Sequence, residues 1–329
     1  MTKTVRWGIL STGRIARWFA TALKDTPGAV LHAVASRELA SAQAFAQEFG
    51  AAKAYGSYQA LADDPDVELV YIGTPHTMHA ANALMALNGG KGVLCEKAFT
   101  ANRREAEEVV ALAREKKLFL MEAMWSRFLP ALAEVRRIIG SGEIGPARQI
   151  TADFGFVSAG GPEHRLFNPA LGGGALLDLG IYPLSLSAAL LGPVESVRAQ
   201  AELGPTGVDT QTGFTLKHRD GGISVCSCSI VARTPCELTV SGTRGQVRMN
   251  TRFHQATSLT VTLEDGSARA VPTPFDGNGY AYEAIEAQRC YTAGLIESPH
   301  MTHDETLALM GVMDEVRRQV GVRYSADDV

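Results

Sequence analysis

Two hydrophobic patterns alternate along the first 124 residues. Short, continuous apolar runs are typical of strands buried on both faces, and each is followed by apolar residues at helical spacing, as at Ile15, Phe19 and Leu23. Strands that alternate with helices in this way predict parallel βαβ units in one doubly wound sheet. The predicted strands are 5–10, 30–35, 67–72, 92–98 and 118–121, with a short extended piece at Tyr55, and the predicted helices are 13–23, 38–49, 77–87 and 102–115.

The pattern changes after Trp125, where strands that alternate polar with apolar residues dominate. Gly, Pro or Asp turns separate them, which predicts an open, mainly antiparallel sheet with helices on one face. We therefore expect an α/β protein with two domains, a parallel one at residues 1–124 and an α+β one at residues 125–329. The predicted strands of the second are 147–157, 194–203, 208–217, 222–231, 237–241, 245–249 and 257–271, and the predicted helices are 130–139, 174–191, 279–294 and 303–319.

The composition is that of a globular protein. Hydrophobic residues make up 46% and charged residues 20% of the 329 residues, and the net charge of −4 includes no basic block. This argues against nucleic acid or an anionic membrane surface as a partner. The longest apolar region, 175–191, is interrupted by Asp178 and Pro183, which argues against a membrane span. Five cysteines without a CxxC pair, and the absence of a signal pattern at the N-terminus, favour the cytoplasm.

A glycine-containing turn joins the first predicted strand to the first predicted helix, where a dinucleotide's pyrophosphate would lie on helix N-terminal amides. The usual G-x-G-x-x-G/A pattern would begin at Gly8 and need glycine at position 11, where this chain has Ser11. Gly13 and Ala16 match the positions for close backbone approach and helix packing. We therefore predict a Rossmann-type, dinucleotide-binding first domain, with the cofactor on Ser11, Thr12, Gly13, Arg14 and Ile15.

The end of the second strand indicates which dinucleotide is bound. NAD sites usually place an acid there for the ribose 2′-hydroxyl, but this chain has Ser36 and Arg37, and the first acid is Glu38. An arginine suits a 2′-phosphate because its planar fork makes charge-assisted bonds to the oxygens. The alternative is an ordinary surface arginine. We expect NADP, with NAD as the less favoured cofactor.

A third loop, after the strand 67–72, opens at the same edge of the sheet. Its residues Thr74, Pro75, His76 and His79 are predicted to line the cofactor. The two histidines could suggest a metal, but no third ligand follows at a recognisable spacing, so a structural or cofactor-lining role is favoured.

Lys97, Asp178 and Tyr182 are the candidate catalytic residues. Lys97 follows Glu96 at the carboxyl end of a strand, where ligands of parallel sheets bind. Asp178 and Tyr182 are four residues apart on a predicted helix, so they would share one face, with a kink expected at Pro183. The alternatives are a lysine that pairs with Glu96 and a core helix with a hydrogen-bonded aspartate.

At these residues the chain resembles the glucose–fructose oxidoreductase/inositol dehydrogenase (Gfo/Idh/MocA) family. The resemblance covers the turn 8–16, the loop 74–79, Glu96-Lys97 and the segment 172–182. The stretches 121–130 and 178–182 resemble the branch of dimeric dihydrodiol dehydrogenases and NADP-dependent D-xylose 1-dehydrogenases. The family's Glu-Lys-Pro is Glu96-Lys97-Ala98 here, and Tyr182 stands where much of the family has a histidine.

The resemblance implies an NADP-linked dehydrogenase of a sugar or cyclic diol, with Lys97 and Tyr182 at the reacting hydroxyl. It also implies that Trp125 and Arg127 lie beside the cofactor with Glu96, and that the second domain binds substrate and joins a homodimer through its open sheet. Such a reaction needs a hydride acceptor and a group to take the hydroxyl proton. A phenol has a pKa of about 10, which a nearby Lys97 ammonium would lower, and Asp178 would orient a neighbouring hydroxyl.

Less specific positions complete the candidate site. Trp125, Arg148, Phe154, His164 and Tyr280 are candidates for substrate contact, and each has a plain packing or surface role as its alternative. The loop 158–173 is a candidate substrate lid, and the glycines around Tyr280 suit a mobile flap. Within the family, inositol or anhydrosugar dehydrogenases or reductases remain alternatives, as does a non-catalytic NADP-binding regulatory protein.

Overall fold

The computed structural model describes residues 3–328, which divide into two compact units. The first unit contains the described residues up to Trp125 together with Asp276–Leu307. The second unit contains Ser126–Phe275 and the described residues from Ala308 onward.

The first unit is built on a six-stranded parallel sheet, which confirms the predicted doubly wound domain. The apolar runs of its central strands are buried along their length because helices cover both faces of such a sheet. The strands are β1 (Val5–Leu10), β2 (Ala29–Ala35), β3 (Lys53–Tyr55), β4 (Leu69–Ile72), β5 (Gly92–Glu96) and β6 (Leu120–Ala123), in the order β3-β2-β1-β4-β5-β6. The helices are α1 (Arg14–Lys24), α2 (Leu39–Phe49), α3 (Tyr58–Ala62), α4 (His79–Asn88) and α5 (Arg103–Lys116).

The strand order reverses between β1 and β4, so the loops that follow β1 and β4 flank a crevice suited to a ligand. Backbone hydrogen bonds join these loops: Ser11 N–H donates to the Ala35 carbonyl (2.9 Å) and Gly73 N–H to the Leu10 carbonyl (3.1 Å). The predicted turn, the Ser36-Arg37 position and the third loop therefore share one edge of the sheet.

A helix from late in the chain, α8 (Ala281–Thr292), packs with the first unit. The Trp7 indole donates to the Gln288 side chain (2.9 Å), and Gln288 in turn donates to the Pro27 carbonyl (3.0 Å). The sequence periodicity predicts this helix but not the unit with which it packs.

The second unit carries an eight-stranded sheet, which confirms the expected open and mainly antiparallel sheet. The exception is β7, which pairs in parallel with β10. The strands are β7 (Ala147–Gly155), β8 (Val194–Leu203), β9 (Asp209–His218), β10 (Ile223–Ser229), β11 (Leu238–Gly242), β12 (Gly245–Met249), β13 (Ser258–Leu263) and β14 (Ala268–Pro272), in the order β14-β13-β12-β11-β7-β10-β9-β8. The remaining helices are α6 (Pro130–Gly140), α7 (Ile181–Leu191) and α9 (His303–Val320).

The prediction of one strand over 257–271 is wrong, because β13 and β14 form a hairpin there. Asp265 and Gly266 make the turn between them. The Asp265 carboxylate accepts a hydrogen bond from Ser267 N–H (2.8 Å), and Gly266 has φ +80°. An Asp-Gly pair is a strong turn signal. It is easily overlooked here, because polar and apolar residues continue to alternate on both sides of it.

The predicted helix over 174–191 is present as one unbroken helical segment from residue 175, but its winding changes along its length. Leu176–Gly180 form a π-helical turn, and the α-helix α7 begins only at Ile181. Pro183 is the third residue of α7, which the chain enters directly from the π turn, with helical φ and ψ at Gly180 and an Ile181 N–H that donates to the Leu176 carbonyl. Asp178 and Tyr182 lie on either side of the change from π to α winding, so the expected alignment four residues apart on one α-helical face does not apply.

By length and composition alone, Pro169–Leu191 could cross a membrane. Within the fold, however, 83% of this apolar window is buried, as in the core helix of a soluble protein.

Candidate functional site

The turn between β1 and α1 is shaped by a serine at the position where the fingerprint has glycine. Ser11 has φ +103°, a backbone conformation that L side chains rarely adopt. Its hydroxyl accepts a hydrogen bond from Gly13 N–H (3.1 Å), and Gly13, in extended conformation, precedes the first residue of α1. The turn therefore keeps the backbone course of a glycine-rich phosphate loop and leads directly into a helix N-terminus.

The second strand ends beside this turn with Ser36 and Arg37. The Ser36 hydroxyl accepts a hydrogen bond from Glu38 N–H (3.4 Å). Arg37 is exposed, and it forms no ion pair with any residue that the structure describes. A guanidinium is thus available at the place where the ribose of a bound dinucleotide would lie.

An aromatic stack lies against the N-terminal part of α1. The Tyr280 ring stacks on the Trp125 indole at 4.5 Å between centroids and 18° between planes, and both side chains are buried. Trp18 lies on the other side of Tyr280 at 6.1 Å, and the Arg14 guanidinium sits 5.5 Å from the Trp18 ring. The Asn278 side chain also donates to the Trp18 carbonyl (2.8 Å). The segment predicted as a mobile flap is docked here against α1.

The two histidines of the third loop contact the backbone around Lys97. His76 Nε2 lies 3.2 Å from the Lys97 carbonyl, and His79 Nδ1 lies 3.0 Å from the Ala98 carbonyl. His79 also places Nε2 2.7 Å from the carbonyl of Thr74, whose hydroxyl accepts from Asn82 (3.0 Å). Burial lowers the pKa of His79. These contacts hold the chain at the candidate catalytic lysine.

The Glu96 carboxylate faces into the first unit and is tied to both the sheet and the next residue. Tyr71 donates its hydroxyl hydrogen to Glu96 Oε1, and Lys97 N–H donates to Glu96 Oε2 (3.2 Å). The Tyr71 ring stacks on Phe19 at 3.7 Å, and Lys97 itself is half-buried. The Lys97–Ala98 peptide bond is cis, and Ala98 is fully buried.

A second buried acid lies near Glu96. Glu283, in the first turn of α8, is fully buried, and neither carboxyl oxygen has a hydrogen-bond partner among residues 3–328. Burial, and after it the charge of Glu96, raises the pKa of Glu283 well above its ordinary value. No motif in the sequence marks Glu283.

The substitution Glu283→Gln is expected to raise the free energy of unfolding at pH 8 by about 1–2 kcal/mol. The pKa of Glu283 is higher in the folded protein than in the unfolded chain, so its contribution to stability is complete at low pH and is lost as pH rises. Glutamine cannot ionise, so the gain should shrink towards pH 5. Urea unfolding across this pH range measures it.

Glu286, one turn further along α8, is the matched control. Burial raises its pKa, but hydrogen bonds from Arg289 and Ser298 outweigh this and hold the pKa below its ordinary value. Glu286→Gln should therefore lower stability at neutral pH. A similar loss in Glu283→Gln would show that the Glu283 carboxylate is ionised and bound, contrary to the prediction.

In the second unit, Asp178 is bound by an arginine from the predicted lid loop. Arg165 Nη1 and Nη2 lie 3.0 and 3.1 Å from the two Asp178 oxygens, a bidentate pair. The Asp178 side chain is 10% exposed and that of Arg165 46% exposed, so the pair closes off one side of the carboxylate. The adjacent His164 is exposed, and its Nδ1 accepts from Leu166 N–H (3.3 Å).

The Tyr182 ring lies in an aromatic cluster. Phe154 and His254 are each 5.4 Å from Tyr182, and they stack on one another at 4.3 Å and 12°. The structure thus brings Phe154, a candidate for substrate contact, next to Tyr182, a candidate catalytic residue. His254 was missed from the sequence, where it stands in a short turn without a motif or periodicity to mark it.

The second unit also contains two of the predicted arginines. Arg127 is buried and donates to the Ser185 hydroxyl (2.7 Å) and carbonyl (2.8 Å), so it fixes α7. Arg148 is exposed near the start of β7, six residues before Phe154. A strand advances about 3.3 Å per residue, which separates these two positions by roughly 20 Å. The structure does not bring Arg148 to the aromatic cluster.

Comparisons with known proteins cover nearly the whole chain. Residues 5–124 match the model of an oxidoreductase family with an NAD-binding Rossmann fold, and residues 132–248 match the GFO/IDH/MocA C-terminal domain. The chain is 40% identical to trans-1,2-dihydrobenzene-1,2-diol dehydrogenase of Danio rerio, over 98% of this chain and 99% of that protein. Identity to the protein of the same name in Mus musculus is 38%, with the same coverage.

Two solved structures show the same fold. KijD10, a 3-ketoreductase from Actinomadura kijaniata in complex with NADP and TDP-benzene, matches with a TM-score of 0.87 and 26% identity. An aldose-aldose oxidoreductase from Caulobacter crescentus, complexed with glycerol, matches with a TM-score of 0.88 and 25% identity. Each match covers 97% of this chain and 98% of the other.

Proposed function

This chain belongs to the GFO/IDH/MocA oxidoreductase family, and from that premise we propose an NADP-dependent dehydrogenase of sugar or cyclic diol hydroxyls. The observation that carries the proposal is the 40% identity, over 98% of the chain, to a dehydrogenase named for a cyclic trans-diol. The solved relatives, named for a ketone and for aldoses, support the same class of carbon–oxygen chemistry.

The residues of the first unit suit a dinucleotide. The turn 11–15 would hold the pyrophosphate on the N-terminal amides of α1, and Ser36 with Arg37 would hold a 2′-phosphate. The nicotinamide, when bound, supplies the hydride acceptor or donor. The remaining proposed contacts are Thr74, Pro75, His76, His79, Glu96, Lys97, Trp125 and Arg127.

The preference for NADP rests on Arg37, and Arg37→Ala is expected to raise KM for NADP by about 10- to 100-fold. The change removes charge-assisted hydrogen bonds to a phosphate that NAD lacks, so KM for NAD should change by less than about twofold. Initial rates with each cofactor measure the two values. Arg103→Ala, which removes an exposed arginine paired with Glu107 on α5, is the control. An equal change for both cofactors would overturn the preference.

In the proposed reaction, hydride leaves the carbinol carbon while the hydroxyl proton passes to the pair formed by Lys97 and Tyr182. The two groups would titrate together, so the proton belongs to the pair rather than to either residue. The aromatic cluster around Tyr182 and the backbone contacts at Lys97 would fix both groups. Asp178 would orient a second hydroxyl, which must share the carboxylate with Arg165.

A substrate panel tests the function. Trans-dihydrodiols, aldoses such as D-xylose, inositols and anhydrosugars are each offered with NADP and with NAD, and absorbance of the reduced cofactor is followed. Turnover of a trans-dihydrodiol or an aldose supports the proposal, and turnover of an inositol or anhydrosugar alone would move the enzyme to that branch. Tight NADP binding with no turnover in either direction would indicate a regulatory protein instead.

We also propose a homodimer joined through the open sheet of the second unit. Strand β10 exposes Ile223 (41%) and Val225 (42%), and Val231 just beyond it is 43% exposed. Ile223 and Val225 alternate with buried residues of β10, so they share one exposed face of the sheet, and exposed apolar side chains are typical of an interaction surface. Sedimentation of the purified protein at micromolar concentration should give the mass of two chains, and a monomer would contradict the proposal.

A further inference from the structure

The start of the helical segment that bears Asp178 and Tyr182 is held by a carboxylate from strand β9. Asp209, the first residue of that strand, is 1% exposed. Its Oδ2 accepts hydrogen bonds from Leu176 N–H (2.8 Å) and from the Thr212 hydroxyl (2.7 Å). Leu176 is the first residue of the π-helical turn, so an anion lies at the end of the helix where N–H groups point outward.

The backbone just before the π turn is shaped to fit this carboxylate. Gly174 has φ +124°, and a Cβ atom there would lie 2.3 Å from Asp209 Oδ1. The preceding carbonyl, of Gly173, accepts a hydrogen bond from the Tyr324 hydroxyl (2.6 Å). The chain at 173–176 is therefore held by Asp209 and by Tyr324.

Asp209 is a costly choice for a purely structural role. Its Oδ1 is buried and has no hydrogen-bond partner within residues 3–328, and an incompletely bonded buried charge destabilises a fold. Asparagine or serine would cap a helix without that cost. The chain keeps an ionisable group where a neutral one would serve a purely structural purpose better.

We propose that Asp209 is a positioning residue for the reaction, whose ionised carboxylate fixes the π turn and thereby the placement of Asp178 and Tyr182. The inference rests on the proposed function, because it takes Asp178 and Tyr182 to act on the substrate. Asp209 is distant in sequence from both residues, and it acts on them through its hydrogen bond with the Leu176 amide.

The surroundings of Asp209 give its carboxyl a pKa within the pH range in which enzyme activity can be measured. The ionisable groups that interact with it are Arg317, Tyr324 and Cys228. Burial raises the pKa of Asp209 to about 6, although the hydrogen bonds from Thr212 and Leu176 and the charge of Arg317 oppose the rise. Burial also raises the pKa of Tyr324 and of Cys228, so both stay neutral between pH 5 and about 8.

Activity and stability should therefore respond to pH in opposite directions. Protonation below pH 6 weakens the hydrogen bond to Leu176 and releases the π turn, so turnover falls. The pKa of Asp209 is above its ordinary value of 3.8, so protonation favours the folded state. Its contribution to stability is complete at low pH and is lost as pH rises through 6. A merely structural residue would make activity follow stability.

The test is the pH profile of kcat/KM for the full chain with NADP and the best substrate of the panel. Wild-type activity should be about half of its high-pH value at pH 6 and about a tenth of that value at pH 5, as one group with a pKa of about 6 requires. Thr212→Val removes one hydrogen bond from the carboxylate, so the fall should begin at a higher pH. Asp209→Asn should lower kcat at least tenfold at pH 7 and abolish the fall, with KM for NADP unchanged.

Thr210→Val is the matched control, since Thr210 is a buried threonine of the same strand whose hydroxyl bonds the Glu202 carbonyl instead. It should keep the wild-type profile. A Thr212→Val profile identical to wild type would overturn the proposal, and this arm does not depend on Asp209→Asn folding.

Hydrogen exchange of the Leu176 amide separates this proposal from the proposed function. Its protection should fall below pH 6 in wild type, and at a higher pH in Thr212→Val, whether or not a substrate is known. Protection of the Leu176 amide that does not change with pH would show that the Asp209 carboxylate does not fix the π turn. If the protection of the Leu176 amide falls with pH but the protein turns over no substrate, Asp209 does fix the π turn and the proposed function is contradicted.

Discussion

Tyr182→Phe is expected to lower kcat by about 10²- to 10⁴-fold, the usual contribution of a positioned acid or base. The substitution removes one hydroxyl and leaves the ring, so the packing against Phe154 and His254 should survive. NADP binding, followed by quenching of protein fluorescence, should change by less than about twofold, since the proposed cofactor contacts lie on other residues. Steady-state rates at saturating NADP give the loss of turnover.

Tyr291→Phe is the control for this loss, because it removes the hydroxyl of a half-buried tyrosine on α8 that lies outside the proposed site. It should leave kcat within about twofold of wild type. Near-normal turnover in Tyr182→Phe would contradict a proton-transfer role for this residue and leave Tyr182 as part of an aromatic core.

Local sequence predicted the first unit well, because its strands are buried on both faces and read as continuous apolar runs. The run at 69–72 is one example, with all four residues buried. The turn at Ser11 was found from its neighbours, Gly8 and Gly13, even though Ser11 departs from the glycine pattern. Its positive φ shows that the backbone course is kept without the glycine.

What the sequence could not predict depends on contacts between distant segments. Glu283 is more than 180 residues away from Glu96 in the chain, and its pKa is raised only because α8 packs with the first unit and buries the carboxyl there. His254 reaches Tyr182 from a short turn that carries no periodicity. Neither residue type is unusual in sequence, so only the tertiary packing reveals either one.

The candidate site was predicted in part, and the arginines show why. Arg37 was identified from its register after a strand, and the structure places it exposed beside the Ser11 turn. Arg148 is a candidate because it lies with Phe154 on the first strand of the second domain, but sharing a strand does not bring two residues to the same position along it. Arg165 was noted only as part of a loop, whereas the structure shows it bound to Asp178 through two hydrogen bonds.

Buried carboxyl groups recur in both units, and they differ in their hydrogen-bond partners. Glu96 accepts hydrogen bonds from Tyr71 and from Lys97 N–H, and Asp209 accepts two at one oxygen. Glu283 accepts none from the described residues. Hydrogen bonds to a carboxylate favour its charged form, and burial without them favours the neutral acid. The three acids therefore have different physical roles despite similar burial.

Lys97→Ala is expected to lower kcat by about 10²-fold or more while the protein still folds and binds NADP. The backbone at Lys97 is held by His76 and by the side chain of Glu96, and neither contact uses the lysine ammonium. The loss should therefore be chemical rather than structural. Thermal unfolding close to that of wild type would confirm an intact fold, and Lys116→Ala, at an exposed lysine of α5, should be fully active.

The double variant, Lys97→Ala with Tyr182→Phe, distinguishes a coupled pair from two independent groups. If the two residues move one proton as a unit, removing the second should cost little once the first is gone, and kcat should stay within about tenfold of the weaker single variant. Independent contributions would multiply, which gives a loss of about 10⁴-fold or more. Multiplied losses of kcat would contradict a single proton-transfer unit, although each residue would still have a role of its own. Within one such unit, the second substitution has little left to remove once the first has been made.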